Sequence, residues 1–378
     1  MKNIKKTFKQ YICALSITLL IFATGEIQTA KGELGKGYEF IGNGKRAGKK
    51  LEKVFTPDRP SPMKFAASSD FAKACHKNRR VLAKLADSNV FGIDGMKISG
   101  SALKKTAAAV SEIHLSEPEK LLKNFDFFLI NGEDGMGNVH FTGYFTPVLE
   151  VRKKPDDNFK YPIYSMPGFK PIPDRRQIDH GNALAGLDLE MAYSNSLLDN
   201  FFLSVQGSGV LDFGNGNRRY IGYAGQNGHP YRSVGKMLVE AGAIPPDRIS
   251  LRSIREWFAR HPEQLVPLLN HCPAYTFYKW RNGPTTGGAG VELTPMHSVA
   301  VDRKFIPYGA CLLAEVPVLD ANGNLLGHEW RILFAHDTGG AIKGPGHLDL
   351  YHGAGKESGD KAGDLHHYGR VWLILARE

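Results

Sequence analysis

An apolar run, Ile332 to Ala335, leads into Asp337-Thr338-Gly339-Gly340-Ala341-Ile342-Lys343-Gly344, and the chain then resumes as His347-Leu348-Asp349-Leu350-Tyr351. No other stretch restricts the fold as much. Two adjacent glycines predict a tight turn with backbone free to approach a ligand closely, between two short strands rather than inside a helix. Alternation along the second strand sends Leu348 and Leu350 to one face and His347, Asp349 and Tyr351 to the other. If the leucines enter the core, Asp349 faces a cleft. Asp337 ends the neighbouring strand, so two carboxyl groups come within reach of one site, where like charge and partial burial push one pKa upward. Turn capping, a common task for aspartate, is the competing reading of both residues.

A third aspartate stands in a similar setting. Ser298-Val299-Ala300-Val301-Asp302 ends a strand, and Ile306-Pro307-Tyr308-Gly309 follows as a loop. Three further motifs precede these in the chain: Phe141-Thr142-Gly143-Tyr144-Phe145-Thr146-Pro147-Val148, Val205-Gln206-Gly207-Ser208-Gly209, and Gly222-Tyr223-Ala224-Gly225-Gln226-Asn227-Gly228-His229-Pro230-Tyr231. In this order the motifs resemble the membrane-bound lytic murein transglycosylase A family (MltA), and the last segment resembles its three-aspartate domain. The resemblance runs from about residue 60 to residue 375.

The resemblance implies a mainly β fold with helices: a six-stranded double-psi β-barrel, a second, smaller β domain inserted into it, and a substrate groove between them. Mapped onto this chain, the barrel is expected from 61–146 plus 281–378 and the insertion from 147–280, after a signal peptide (1–25) and a flexible linker (26–60). It implies a lytic transglycosylase that cleaves the β-1,4 bond between N-acetylmuramic acid and N-acetylglucosamine in peptidoglycan without water. No cofactor and no metal are implied. Asp349 would serve first as acid and then as base, Asp337 would tune it or stabilise the oxocarbenium-like transition state, and Asp302 would support the loop. Lys343 is a candidate for holding a substrate carboxylate or acetamide.

The residues themselves suit a sugar groove. Tyr144 and Thr146 can offer a ring to stack on a pyranose and a hydroxyl for its rim, although an ordinary strand with a proline bend has the same pattern. Gln206, Ser208, Gln226 and Asn227 can bond sugar hydroxyls or acetamides, or simply form turns. The Gln206–Gly209 segment is neither a phosphate loop, for no GxxxxGK[ST] pattern follows, nor a Gly-x-Ser-x-Gly nucleophile elbow.

Lys2, Lys5, Lys6 and Lys9 precede an apolar run from Tyr11 to Ala23, the arrangement of an export signal. That run is short for a membrane span. Ala23-Thr24-Gly25 is the expected cleavage site, with Gln28-Thr29-Ala30 a weaker one; an uncleaved anchor is the alternative. Well-known members of the resembled family are lipoproteins acylated just after this region. Here Cys13 lies near its start, so no lipobox cysteine is present. Export to the periplasm is expected, with outer-membrane attachment and association with outer-membrane or cell-wall proteins left open. Cleavage after Gly25 lowers the net charge from +10 to +6, which suits an anionic polymer such as the cell wall. No basic cluster with interleaved aromatics points to nucleic acid. Three cysteines remain, Cys75, Cys272 and Cys311, without a CxxC pair, so a zinc site is not expected and one disulfide is allowed.

Helices are expected over 65–86, 103–110 and 120–128, and after the caps Ser233 and Ser250. Strands are expected at 139–151, in a hairpin over 210–223, in a hairpin turning at Asp320–Asn324, and at 371–375. The density of His336, Asp337, His347, Asp349, His352, His366 and His367 admits a rival chemistry, a metal-dependent cell-wall hydrolase. A non-catalytic peptidoglycan-binding protein is the other alternative.

Overall fold

The computed structural model describes residues 53–93, 96–132 and 134–377. The expected signal peptide and residues 26–52 of the expected linker lie outside them. Numbered along the chain, the strands are β1 (Phe55–Pro57), β2 (Val90–Ile93), β3 (Met96–Ser99), β4 (Phe125–Ile130), β5 (Val139–Thr146), β6 (Val148–Arg152), β7 (Tyr161–Tyr164), β8 (Glu190–Ser194) and β9 (Gly209–Asp212). They continue with β10 (Arg218–Gln226), β11 (Thr276–Arg281), β12 (Ser298–Ala300), β13 (Cys311–Leu319), β14 (Leu325–Asp337), β15 (His347–Ala354), β16 (His366–Gly369) and β17 (Val371–Ala376). Nine α-helices complete the described residues, so the fold is mainly β with helices.

Two large sheets divide the chain, beside a two-stranded ribbon of β2 and β3. A nine-stranded sheet has the order β1-β4-β17-β13-β14-β12-β15-β5-β16, and a six-stranded sheet has the order β11-β10-β9-β6-β8-β7. The first draws on residues 55–146 and 298–376, the second on 148–281. Among the described residues no strand pairing joins β1 to β16, so closure of a barrel is not seen. Near the β16 end the Glu315 N–H of β13 donates to the Arg370 carbonyl at 2.8 Å.

The core of the larger sheet explains its register. Leu348 and Leu350 are fully buried, as alternation requires, together with Phe141, Trp330, Phe334 and Trp372. Each such leucine contributes about 1.5–3 kcal/mol by leaving water. Slipping β15 by one residue would exchange those leucines with His347 and Asp349, so the hydrophobic effect itself decides which face carries the polar groups. The apolar run Val371–Ile374 is a buried strand between β4 and β13.

Several local expectations needed correction. Residues 55–57 are not linker: Val54 and Phe55 are buried, and β1 pairs with Phe128–Ile130. Three residues carry no period that could have announced a strand. The first helix spans only Phe71–Leu82, because Phe65 instead forms a bridge with Trp330 and packs edge-on against its ring at 5.3 Å. The helix expected over 120–128 ends at Asn124, and Phe125–Ile130 becomes β4, whose aromatic side chains fit a pleated sheet better than a helix surface. Helix Leu197–Gln206 begins at the Ser196 cap and ends at Gly207, which takes φ +74. The three cysteines are free and buried.

Candidate active site

Parallel pairing of β15 with β5 sets Asp349 opposite Thr142 and Tyr351 opposite Tyr144. Thr142, Tyr144 and Thr146 alternate along β5 and share one face. Each reaches a different partner. Thr142 Oγ1 donates to Asp349 Oδ1 at 2.8 Å, Tyr144 OH donates to Asp337 Oδ2 at 3.0 Å, and Thr146 Oγ1 lies 2.8 Å from Tyr351 OH. On the other side β12 pairs with both β14 and β15, and Ala300 is the register partner of Asp337 and of Asp349 alike. The two aspartates therefore stand two strand spacings apart, about 9–10 Å between Cα atoms, with the methyl of Ala300 between them.

The electrostatics separate the two carboxyl groups. Burial pushes Asp349 up to about 6; the Thr142 hydrogen bond opposes this and the charge of Asp337 adds to it. Burial also raises Asp337, but three donors counter it: the Gly288 N–H at 2.8 Å, the Thr338 N–H at 2.8 Å and the Tyr144 hydroxyl. Asp349 thus keeps its proton to a higher pH than an ordinary aspartate, up to about 6, while Asp337 is surrounded by donors that favour its anion. Burial, reinforced by Asp337 and Asp349, holds Tyr144 well above its ordinary pKa, so its phenol remains a donor.

The loop after β11 supplies part of this cage. Thr285 Oγ1 accepts from Thr146 Oγ1 at 3.1 Å and from Ser208 Oγ at 3.4 Å, tying the end of β5 to the Gln206–Gly209 turn. The Ala289 N–H donates to the His336 carbonyl at 3.0 Å, which seats Gly288 beside Asp337. A Cβ at 288 would overlap the Tyr308 hydroxyl, so any other residue there requires that ring or the loop to shift.

The residues singled out from sequence fall into three groups. Asp337, Asp349 and Tyr144 converge. Asp302 braces the loop between the two aspartates: its carboxylate accepts from the Gly344 N–H at 2.9 Å and from the Lys304 N–H at 3.0 Å. Gln206 and Ser208 adjoin the centre, for Gln206 Oε1 accepts from the Phe145 N–H at 3.3 Å and Ser208 reaches Thr285. Gln226 and Lys343 are exposed and outside this hydrogen-bond network. Two expectations change. Thr146 is only 3% exposed, with its hydroxyl engaged by Tyr351 and Thr285, so it shapes the site from beneath instead of facing a ligand. Asn227 is likewise committed to scaffold, bonding Pro173, Pro273, Tyr275 and His229 backbone groups.

Thr142, Thr285, Gly288 and Ala300 were not singled out. The Thr142-x-Tyr144-x-Thr146 alternation was a usable signal for the first. Nothing local marks the others, since their role arises from register and loop path. His336 lies in the core, with Nδ1 2.9 Å from Ser298 Oγ and Nε2 3.2 Å from Asn78 Oδ1. Among the described residues no three His, Cys, Asp or Glu side chains are grouped to hold an ion.

The "MltA specific insert domain" family model matches residues 140–279 and the "3D domain" model matches 297–375. Thr142 and Tyr144 lie in the first, and Asp302, Asp337 and Asp349 in the second. The chain is 46% identical to membrane-bound lytic murein transglycosylase A of Escherichia coli K12 over 254 residues, 66% of this chain and 69% of that protein. It is 31% identical to the homologue of Buchnera aphidicola over 385 residues, 99% of this chain and 96% of that protein. The chain belongs to the membrane-bound lytic murein transglycosylase A family. Among solved structures of this family, E. coli MltA with bound chitohexaose matches with TM-score 0.74 and 36% identity, covering 88% of this chain and 97% of that one. The Agrobacterium tumefaciens member matches with TM-score 0.66 and 29% identity, covering 82% of this chain and 93% of that one. The loop carrying Thr285 and Gly288 falls between the two matched family segments, so its part in the cage comes from the structure alone.

Proposed function

We propose that this chain is a peptidoglycan lytic transglycosylase, cutting the β-1,4 bond between N-acetylmuramic acid and N-acetylglucosamine and leaving 1,6-anhydro ends. The observation that carries the reading is Asp349, a carboxyl group raised to about 6 beside a second carboxylate caged by donors, in a chain of the MltA family. Asp349 delivers its proton to the glycosidic oxygen as the C1–O bond breaks. Asp337, on the other side of Ala300, stabilises the oxocarbenium-like charge at C1. Asp349, now a base, takes the proton of the muramic acid C6 hydroxyl as that oxygen attacks C1. The acid is thereby restored, and proximity replaces water as the source of the nucleophile.

Tyr144, Gln206 and Ser208 are assigned to the glycan strand near the cut, with Gln226 and Lys343 farther along it, and Thr146 and Asp302 to support. The catalytic part comprises 61–146 and 281–378, with 147–280 inserted and the glycan between the two. Among the described residues no helix is long and apolar enough to cross a membrane. The basic, apolar N-terminal segment supports export, and relatives carry the name membrane-bound. Attachment to the outer membrane and association with wall proteins are part of the same proposal.

Mass spectrometry of fragments released from purified peptidoglycan, with and without EDTA, tests the reading. Muropeptides about 18 Da lighter than hydrolysed ones, because no water is added, and indifference to EDTA are expected. Reducing ends would make the enzyme a hydrolase with Asp337 as its second carboxylate. Peptide cleavage lost with EDTA would favour the metal chemistry, and binding without product a wall-binding protein.

A further inference from the structure

Thr142 Oγ1 touches two groups at once: Asp349 Oδ1 at 2.8 Å and His347 Nε2 at 3.0 Å. A hydroxyl has one proton to give. Two arrangements satisfy the distances. In one, His347 Nε2–H donates to Thr142 and Thr142 donates to Asp349 Oδ1. In the other, Thr142 donates to a bare His347 Nε2, and Asp349 must itself hold a proton on Oδ1 to donate to Thr142. The second arrangement directs the aspartic acid proton into the protein and makes the ionised aspartate face a lone pair. The first serves both protonation states, since Oδ1 accepts throughout and the proton comes and goes at Oδ2. No described residue hydrogen-bonds Oδ2.

The ring is held for such a role. His347 stacks on His140 with centroids 5.1 Å apart and planes at 25°, and His140 stacks in turn on Tyr368 at 5.1 Å. His140 Nε2 lies 3.0 Å from His366 Nδ1. Burial, aided by the neighbouring imidazoles, lowers the pKa of all three histidines, so the stack is neutral near pH 7.

We propose that His347 is a positioning residue: its Nε2–H, held by Thr142, orients the threonine hydroxyl onto Asp349 Oδ1 and leaves the transferable proton to Oδ2. The proposal rests on Asp349 being the acid of the reaction above. The imidazole touches no substrate atom and takes no proton. Its work is to select the productive tautomer of a neighbour two hydrogen bonds away.

The test combines two variants with one spectroscopic measurement. His347→Phe keeps a ring against His140 but removes the donor, and His347→Gln replaces Nε2–H with an amide N–H. The Phe variant is expected to lose about 10-fold or more in kcat with KM nearly unchanged, and the Gln variant to recover most of it. Long-range ¹H–¹⁵N spectra of the wild-type protein are expected to place the His347 proton on Nε2. Wild-type kcat in the Phe variant, a Gln variant as slow as the Phe variant, or an Nδ1–H tautomer each overturns the proposal. The tautomer decides the matter if a variant does not fold. Failure of the lyase reading is distinguishable, because it changes the mass of the wild-type product and leaves the His347 tautomer as observed.

Discussion

Asp337 and Asp349 share one backbone partner, Ala300, which pairs with the first across β14 and with the second across β15. The width of the candidate catalytic centre is therefore a property of the sheet, set by two inter-strand spacings and a single methyl group. Ala300→Leu is expected to fill the gap between the carboxyls and lower kcat/KM by at least about 100-fold, with an overpacking cost of about 1–3 kcal/mol. Paired kinetics and thermal melts check this. Full activity in a folded variant would remove Ala300 from the site.

In the proposed mechanism Asp349→Asn removes the proton given to the glycosidic oxygen. Cleavage is expected to disappear while binding to insoluble peptidoglycan persists. Turnover near the wild-type level would move the acid elsewhere.

The pH dependence of that residue has a definite sign. Asp349 has its folded pKa raised, to about 6, above an unfolded value of about 3.9. The proposed mechanism needs the protonated form, so the rate should fall as pH rises through about 6. Relative to the unfolded chain, its stabilising contribution is complete below about pH 4 and is lost as pH rises through the folded pKa. Asp349→Asn should therefore melt higher than wild type at pH 8, by up to about 2–3 kcal/mol, and no higher at pH 4. Equal melting differences at both pH values would contradict the burial of this carboxyl.

Tyr144→Phe deletes one of the three donors on Asp337. A hydrogen bond to a charged group contributes about 1.5–3 kcal/mol, so kcat should fall about 10- to 100-fold and the pKa of Asp337 should rise further. A pH–rate profile beside the wild-type curve measures both effects. An unchanged profile would mean that Asp337 is not acting as an anion.

Gly288→Ala places a Cβ against the Tyr308 hydroxyl and forces the loop away from Asp337. Loss of activity is expected to exceed loss of stability, and Tyr308→Phe in the same chain should restore part of it by making room. No rescue would assign the defect to the backbone alone.

Much of this protein was determined by its sequence. Leucines alternating with polar residues at 347–351 specify which face of β15 turns to the cleft, because period-2 burial admits one register. Gly339-Gly340 after an apolar run specifies the turn, and the succession of motifs identifies the family. The tertiary structure decided what no local pattern encodes. β1 and β4 are strands because partners distant in sequence bury Phe55 and Phe125, and such burial overrides local propensity. The likeness of Asp337 and Asp349 in sequence conceals their difference in the fold, where both are buried but one meets three donors and the other a single threonine. Gly288, Thr285 and Ala300 enter the site through register and loop path. A pKa depends on what surrounds a carboxyl group in space, and that environment exists only once strands from both ends of the chain have paired.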